Sequence, residues 1–188
     1  ENAIIQSVGN WTLTNNSIIN EGTNLIIKSG ETLRLPSLPT PYTLTNYGTI
    51  TIDGTIRNDA NIINNGTIHN NSNTIINTST ATFTNNSLLT NDGTISNDGT
   101  IRNDGIITNY SRGSITNNGI MINEIIIINN NGGSITNNIS GSITNTGTIA
   151  NEGSITNLSA TLISNVVGIP VITDTPTPTP IITTPTPT

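Results

Sequence analysis

The chain has 188 residues and a net charge of −6, and Ile, Asn and Thr together supply 103 of the residues. Only five residues are Lys or Arg, which argues against a nucleic-acid partner, because a phosphate backbone is bound by a basic surface. The absence of cysteine excludes disulfides and thiolate metal sites, and no apolar run approaches the roughly 20 residues of a membrane span.

Residues 1–47 carry a loose form of a pattern that becomes regular further along the chain. An apolar residue precedes an Asn by two positions at Leu13/Asn15, Ile18/Asn20 and Leu44/Asn46. Residues 24–36 read as two strands about a Ser-Gly turn, followed by a Pro-rich loop. Because the end of a strand stack exposes unpaired edges, we predict that residues 1–47 form an N-terminal cap with the first irregular coils.

Residues 48–165 contain a repeat of about six residues, clearest between positions 91 and 109. Three units there read Asn-Asp-Gly-Thr-Ile-Ser, Asn-Asp-Gly-Thr-Ile-Arg and Asn-Asp-Gly-Ile-Ile-Thr. In an extended chain the apolar centre and the residue two places later point to the same side, which should be the inside. The Asn-Asp-Gly between centres predicts a corner, since these residues tolerate left-handed backbone angles.

Asn stands two residues after 17 of the 18 apolar centres that run from Ile50 to Ile163; the exception is Ile50, which is followed two places later by Ile52. If coils stack about 4.8 Å apart, inward Asn side chains can hydrogen-bond from one coil to the next and satisfy polar groups that burial would otherwise strand. The predicted ladder comprises Asn58, Asn64, Asn70, Asn77, Asn85, Asn91, Asn97, Asn103, Asn109, Asn117, Asn123, Asn129, Asn137, Asn145, Asn151, Asn157 and Asn165.

Several short strands must close one coil, and three is the simplest number that gives a filled prism. Three successive spacings add up to between 18 and 22 residues from Ile50 to Ile149. We therefore predict an all-β fold, a single-stranded parallel β-solenoid of about six coils. The two-residue insertions at 111–112, 131–132 and 139–140 should bulge at corners. The spacing leaves the handedness of the solenoid undetermined.

The regular frame fails at Val166, and Thr and Pro alternate over residues 175–180 and 184–188. Alternating proline removes backbone donors and favours an extended polyproline II chain. We predict that residues 166–188 form an extended tail, either a linker or a segment that lies on a neighbouring subunit with Ile181 and Ile182 as anchors.

One outward face is predicted to carry a column of hydroxyl groups, from every third unit of the repeat. Paired threonines on a flat solenoid face resemble those of ice-binding β-solenoids, and this resemblance implies an ordered-water surface. Ser replaces Thr at many positions, and Thr is also the commonest polar strand former. The candidate ligand or ice face comprises Thr55, Thr74, Thr94, Ser96, Ser114, Thr116, Ser134, Thr136, Ser154 and Thr156.

The other two outward faces are predicted to carry grouped aliphatic side chains. Exposed aliphatic groups in a protein with few aromatic or charged residues indicate a contact surface for another subunit. The candidate assembly interface comprises Leu88, Ile106, Ile120, Ile122, Ile126, Ile128, Ile181 and Ile182.

The inventory of reactive side chains argues against an enzyme. The single histidine, His69, is predicted to point outward into solvent, and we expect no catalytic, cofactor or metal site. Asp92, Asp98 and Asp104 recur with the repeat and are explained by corner chemistry, with weak Ca²⁺ binding along a column as a minor option.

Sequons occur at Asn10, Asn15, Asn65, Asn70, Asn77, Asn85, Asn109, Asn138 and Asn157. We expect those at the inward positions 77, 85, 109 and 157 to be inaccessible to glycosylation.

Three stretches carry a resemblance to known repeat proteins: residues 46–56, 91–109 and 145–155. Over residues 24–165 the chain resembles the low-complexity Gly-Thr-Ile-x-Asn repeat proteins of microbial surfaces and extracellular fibres. That resemblance implies a parallel β-solenoid with a structural or adhesive role.

We therefore expect a secreted, non-enzymatic structural protein that polymerises with itself, its signal peptide already removed. One alternative is a monomeric adhesin or stalk module of the cell surface. Another is a solenoid that binds ice or surface glycans through its hydroxyl face. We expect no membrane span.

Overall fold

The computed structural model describes residues 9–161 and 163–173, which form 24 short strands. The strands pair in parallel in three sheets, and from β1 to β22 each strand hydrogen-bonds to strands three positions away in the chain, whereas β23 and β24 pair with β21 and β22. Three consecutive strands therefore make one coil, and the solenoid has about eight coils. This part of the chain contains no helix. The predicted all-β parallel solenoid with three strands per coil is confirmed.

The nine-stranded sheet contains β1 (Asn10–Thr12), β4 (Thr32–Leu35), β7 (Thr55–Asn58), β10 (Thr74–Asn77), β13 (Thr94–Asn97), β16 (Ser114–Asn117), β19 (Ser134–Asn137), β22 (Ser154–Asn157) and β24 (Ile172–Thr173). The seven-stranded sheet contains β2 (Ser17–Ile19), β5 (Thr43–Asn46), β8 (Asn61–Asn64), β11 (Thr82–Asn85), β14 (Thr100–Asn103), β17 (Ile120–Asn123) and β20 (Ser142–Asn145). The eight-stranded sheet contains β3 (Asn24–Ile27), β6 (Thr49–Ile52), β9 (Thr67–Asn70), β12 (Leu88–Asn91), β15 (Ile106–Asn109), β18 (Ile126–Asn129), β21 (Thr148–Asn151) and β23 (Val166–Gly168).

A typical strand has four residues, of which the second and fourth are buried. In β14 these are Ile101 and Asn103, while Thr100 and Arg102 face outward. Ile and Thr favour strands because a branched Cβ packs well on a pleated surface, and the alternation follows from the two-residue period of the strand. The six-residue unit is thus one strand plus a corner.

The register of the coils agrees with the spacing of the apolar centres. Ile50 pairs with Ile68, Ile68 with Leu89, and Leu89 with Ile107. These centres stack into one continuous core, in which Phe83 occupies the place that Ile takes in the neighbouring coils.

The six coils predicted for residues 48–165 are continued by further coils at both ends. Strands β1 to β5 pair in the three sheets in register, so residues 10–46 add coils at the N-terminal end. Beyond the point where the repeat fails, β23 and β24 still pair with β21 and β22. Backbone pairing continues there because it does not depend on the side-chain pattern. Residues 174–188 of the predicted tail lie outside the described residues.

The corners differ from the expectation in one respect. Among the described residues other than glycine, only Asn165 has a positive φ, of 53°. The glycines with a positive φ do not include those of the Asn-Asp-Gly corners, so these corners do not use left-handed angles. Glycine is needed there because the chain passes close to the preceding coil: a Cβ at Gly105 would overlap the backbone of Ser87. The inserted pairs at 111–112, 131–132 and 139–140 form exposed turns, as predicted.

Candidate functional site

The buried Asn side chains form three ladders, one at each corner of the prism. In each ladder the Nδ2 of one Asn donates to the Oδ1 of the Asn in the next coil, over 2.6 to 2.8 Å. The first ladder is Asn58, Asn77, Asn97, Asn117, Asn137 and Asn157. The second is Asn46, Asn64, Asn85, Asn103, Asn123 and Asn145. The third is Asn70, Asn91, Asn109, Asn129 and Asn151.

Backbone carbonyls fix the direction of the ladders. The Nδ2 of Asn103 also donates to the carbonyl oxygens of Gly105 and Ile126, at 3.1 and 2.9 Å. A flipped amide would place its oxygen against these acceptors, so the orientation is determined by the surroundings. Every ladder therefore points its donors toward the C-terminal end of the solenoid.

Each ladder begins above an aliphatic residue. Asn46 pairs in register with Ile19, and Asn70 with Ile52. The Oδ1 atoms of Asn46 and Asn70 are buried without a hydrogen-bond partner. At the base of the first ladder, by contrast, the Oδ1 of Asn58 accepts the backbone N–H of Ala60 at 3.1 Å.

Backbone carbonyls close the ladders at the C-terminal end. The Nδ2 atoms of Asn145, Asn151 and Asn157 donate to the oxygens of Ser164, Ile169 and Thr161, over 2.6 to 2.7 Å. The segments 158–161 and 163–169 thus act as a C-terminal cap.

The ladder prediction requires two corrections. Asn165 is exposed and has no place in a ladder, because its backbone turns at a positive φ and its Nδ2 donates to the carbonyl oxygen of Asn145. Asn46, which the sequence pattern had placed on the inside, is the base of the second ladder.

The ten residues of the candidate hydroxyl face all lie on the outside of the nine-stranded sheet. The pairings join Thr74, Thr94, Ser114, Ser134 and Ser154 in one column. The same pairings join Ser96, Thr116, Thr136 and Thr156 in a second column. Ile76 and Arg57 precede Ser96 in that second column, so the purely hydroxyl part begins in the fifth coil.

Two arginines and one aspartate form an ion-pair cluster in the N-terminal part of this sheet. Arg34 and Arg57 are neighbours in register, and both bind the carboxylate of Asp59, at 2.9 and 3.0 Å. Burial raises the pKa of Asp59, but hydrogen bonds from Arg34, Thr78 and Arg57 and the charge of Arg57 outweigh it. The pKa of Asp59 therefore lies below its usual value, and the carboxylate separates two like charges.

The described members of the candidate assembly interface lie on the other two sheets. Leu88, Ile106 and Ile126 form one outward column of the eight-stranded sheet, and Ile128 lies beside it. Ile120 and Ile122 lie on the seven-stranded sheet, on the other side of the corner. Ile125, which is not among the predicted interface residues, lies at this corner and is 53% exposed. Ile181 and Ile182 lie outside the described residues.

The remaining candidate groups have local partners. The Nδ1 of His69 lies 2.8 Å from the Oγ1 of Thr90. Asp92, Asp98 and Asp104 lie at three different corners and form no common column, because each six-residue step leads to the next face. Each of the three is bound instead by a neighbouring side chain: Arg112, Asn118 and Arg102, respectively.

Among the residues that the structure describes, no group of three or more His, Cys, Asp or Glu side chains could hold a metal ion. The same residues include no helix with the length and hydrophobicity required to cross a membrane.

Of the nine sequons, those at Asn70, Asn77, Asn85, Asn109 and Asn157 have a buried Asn, and those at Asn10 and Asn15 are exposed.

No protein-family model, curated protein or solved structure matches this chain.

Proposed function

We propose that the protein is a secreted, non-enzymatic structural subunit that assembles with copies of itself into an extracellular filament or appendage. The observation that carries this proposal is the group of outward aliphatic side chains on the seven- and eight-stranded sheets. Ile106 and Ile120 are 41% and 47% exposed, although both sit in regular strands. Grouped aliphatic side chains on a surface favour association with another protein.

The interior of the solenoid supports a structural role. Each coil is fastened to the next by three parallel strands and by Asn ladders at the corners, so few internal groups can move independently. Such an interior suits a subunit that bears load or persists outside a cell. The secreted location is supported by the resemblance of the repeat to surface and fibre proteins.

The tail is part of the proposal, as a contact with a neighbouring subunit. The full-length protein should sediment as protease-resistant assemblies at near-neutral pH. The protein truncated after Thr173 should stay in the supernatant. A matched variant, Ile181→Thr with Ile182→Thr, keeps the length of the tail and tests the two anchors. Equal sedimentation of all three proteins would contradict a contact through the tail.

A monomeric adhesin or stalk module is the alternative, and it uses the same rigid rod as a spacer. It differs in one measurable property: the full-length protein would remain monomeric at all concentrations, with or without its tail. Sedimentation equilibrium separates the two functions without any knowledge of a ligand.

The hydroxyl face supports a second candidate function, the binding of ice or glycans. The in-register Ser and Thr side chains form two parallel columns over four consecutive coils, with neighbouring coils about 4.8 Å apart. Thermal hysteresis of the protein solution tests this candidate. Activity that disappears in Thr94→Arg with Thr116→Arg would support it, and the absence of hysteresis in the unchanged protein would exclude ice binding.

A further inference from the structure

The two ends of the solenoid are chemically unlike. At the C-terminal end, the ladder donors of Asn145, Asn151 and Asn157 are already bound by backbone carbonyls of the cap. These donors are therefore not available to the first coil of another copy. An end-to-end joint would have to displace the cap before it could extend a ladder.

The N-terminal end could not accept these donors in any case. The inward corner positions of the first coil are Leu13, Ile19 and Ile27, which are buried aliphatic residues without an acceptor. Asn46 and Asn70 show the consequence of stacking Asn on an aliphatic residue, since the Oδ1 atom of each has no partner. A continuous ladder through an end-to-end joint is thus disfavoured, because it would leave buried polar groups without hydrogen-bond partners.

The side of the prism is better suited to contact. The outward positions of β3 to β21 in the eight-stranded sheet carry no Lys, Arg, Asp or Glu. The column Leu88, Ile106 and Ile126 runs through the middle of this face. Burial of these side chains gains free energy without the desolvation of a charge.

We propose, on the basis of the function proposed above, that copies of this chain pack side by side through the eight-stranded sheet. The spacing of the side chains identifies a second copy as the partner. Rows about 4.8 Å apart interlock along their whole length only with rows of the same spacing, as in paired sheets of stacked strands. A helix, with a pitch of 5.4 Å, would lose register within a few rows.

The size of the face determines how strong one contact can be. Strands of four residues and seven rows define a face of roughly 13 Å by 30 Å, about 400 Å² in plan. A stable interface needs about 800 Å² per partner, so a single pair should be weak. Beyond the ion pair of Arg102 and Glu124 at the corner, Ile120, Ile122 and Ile125 add a second group of outward aliphatic side chains, where a second neighbour can bind. Assembly should therefore depend steeply on concentration, since it requires several contacts at once.

Lysine substitutions on two faces test this inference with the full chain. Ile106→Lys with Ile126→Lys places two charges on the proposed face. The matched control, Ser114→Lys with Ser134→Lys, places the same charges in two neighbouring coils of the nine-stranded sheet. Sedimentation velocity over a concentration series should show association of the unchanged protein and the control, and an increase of at least about tenfold in the dissociation constant of the face variant.

A milder variant keeps the test valid if the lysines impair folding. Ile106→Thr with Ile126→Thr removes apolar surface but retains strong strand formers. It should weaken association in the same direction. If the unchanged protein assembles and both face variants assemble equally well, the side-by-side contact is wrong while the proposed function stands. If the unchanged protein stays monomeric at every concentration, both are wrong.

Discussion

Asn103 donates a hydrogen bond from its Nδ2 to the Oδ1 of Asn123, which lies one coil further along the solenoid at 2.7 Å. Both side chains are completely buried. An Asn in the core is tolerated because its amide matches the coil spacing and binds the same type of amide above and below. This relationship converts a polar residue into a regular core element.

Replacement of one ladder residue should be costly. Asn103→Ala leaves the Oδ1 of Asn123 without its donor and removes the acceptor of Asn85. We expect a loss of roughly 2–4 kcal/mol in the free energy of unfolding, since each unsatisfied buried polar group costs about 1–3 kcal/mol. Guanidinium titration followed by circular dichroism measures it.

The matched control for this ladder variant is Asn118→Ala, at an outer corner position. Asn118 also bonds to its neighbours, Asp98 and Asn138, but it is only half-buried and water can replace these bonds. The control should lose less than about 1 kcal/mol. Equal losses in both variants would contradict a special role of the inward amides.

Glycine at the corners should be required for space. Gly105→Ala places a Cβ against the backbone of Ser87 in the preceding coil, and a backbone cannot rotate away as a side chain can. We expect a loss of about 3 kcal/mol, the upper end of the overpacking range. Thermal unfolding measures it.

Gly30→Ala provides the contrast, because Gly30 has a φ of 83° and nothing within 4 Å of an added Cβ. Only the left-handed backbone angle opposes alanine there, at about 1–2 kcal/mol. A larger loss at Gly30 than at Gly105 would show that backbone conformation, not close approach, selects glycine at the corners.

A low pH should remove the contribution of Asp59 to the free energy of unfolding. Its folded pKa is lowered by its arginine partners, so it stabilises the fold at pH values above the ordinary value of 3.8. That stability is lost as the pH falls through the lowered pKa. Asp59→Asn should cost about 1–2 kcal/mol at pH 7 and progressively less below pH 4. Chemical denaturation between pH 7 and pH 2 measures the difference.

The control for this pH dependence is Asp98→Asn, because the carboxylate of Asp98 accepts an amide of Asn118 and not a guanidinium. At pH 7, Asp98→Asn should lower the free energy of unfolding much less than Asp59→Asn. A cost of Asp59→Asn that remained constant down to pH 2 would show that the carboxylate charge does not stabilise this cluster.

The C-terminal cap should protect the last coil locally. Ile163 packs against the core at this end, so Ile163→Asp should loosen the cap and expose the donors of Asn145, Asn151 and Asn157. Hydrogen exchange should become faster in β20 to β22 and stay unchanged in β7 to β12.

Ile169→Asp tests whether this effect is specific, because the side chain of Ile169 is 50% exposed and only its backbone oxygen binds the ladder. It should leave exchange in β20 to β22 nearly unchanged. If both substitutions accelerated exchange equally, the packing of Ile163 would not be what holds the cap.

The sequence predicted the coil well because one period of six residues determines both the strand and the inward side. The centres from Ile50 to Ile155 are buried, and 16 of the 17 predicted Asn side chains lie in the ladders. The exception, Asn165, follows the pattern in sequence but comes after an irregular loop that turns the backbone out of the frame.

Features that depend on contacts between coils could not be read from the repeat. The bridge between Arg34 and Asp59 joins residues 25 positions apart, across a loop of irregular length. Glycine at the corners was predicted for the wrong reason. The sequence shows a residue that tolerates left-handed backbone angles, but it does not show the backbone of the preceding coil that passes close to it. The direction of the ladders required the carbonyl groups that surround each amide.

Electron microscopy of the full-length protein at near-neutral pH tests the proposed self-assembly most directly. The account predicts uniform fibres above a threshold concentration and their loss in Ile106→Lys with Ile126→Lys. Single short rods at every concentration, about 40 Å long from eight coils spaced about 4.8 Å apart, would contradict it.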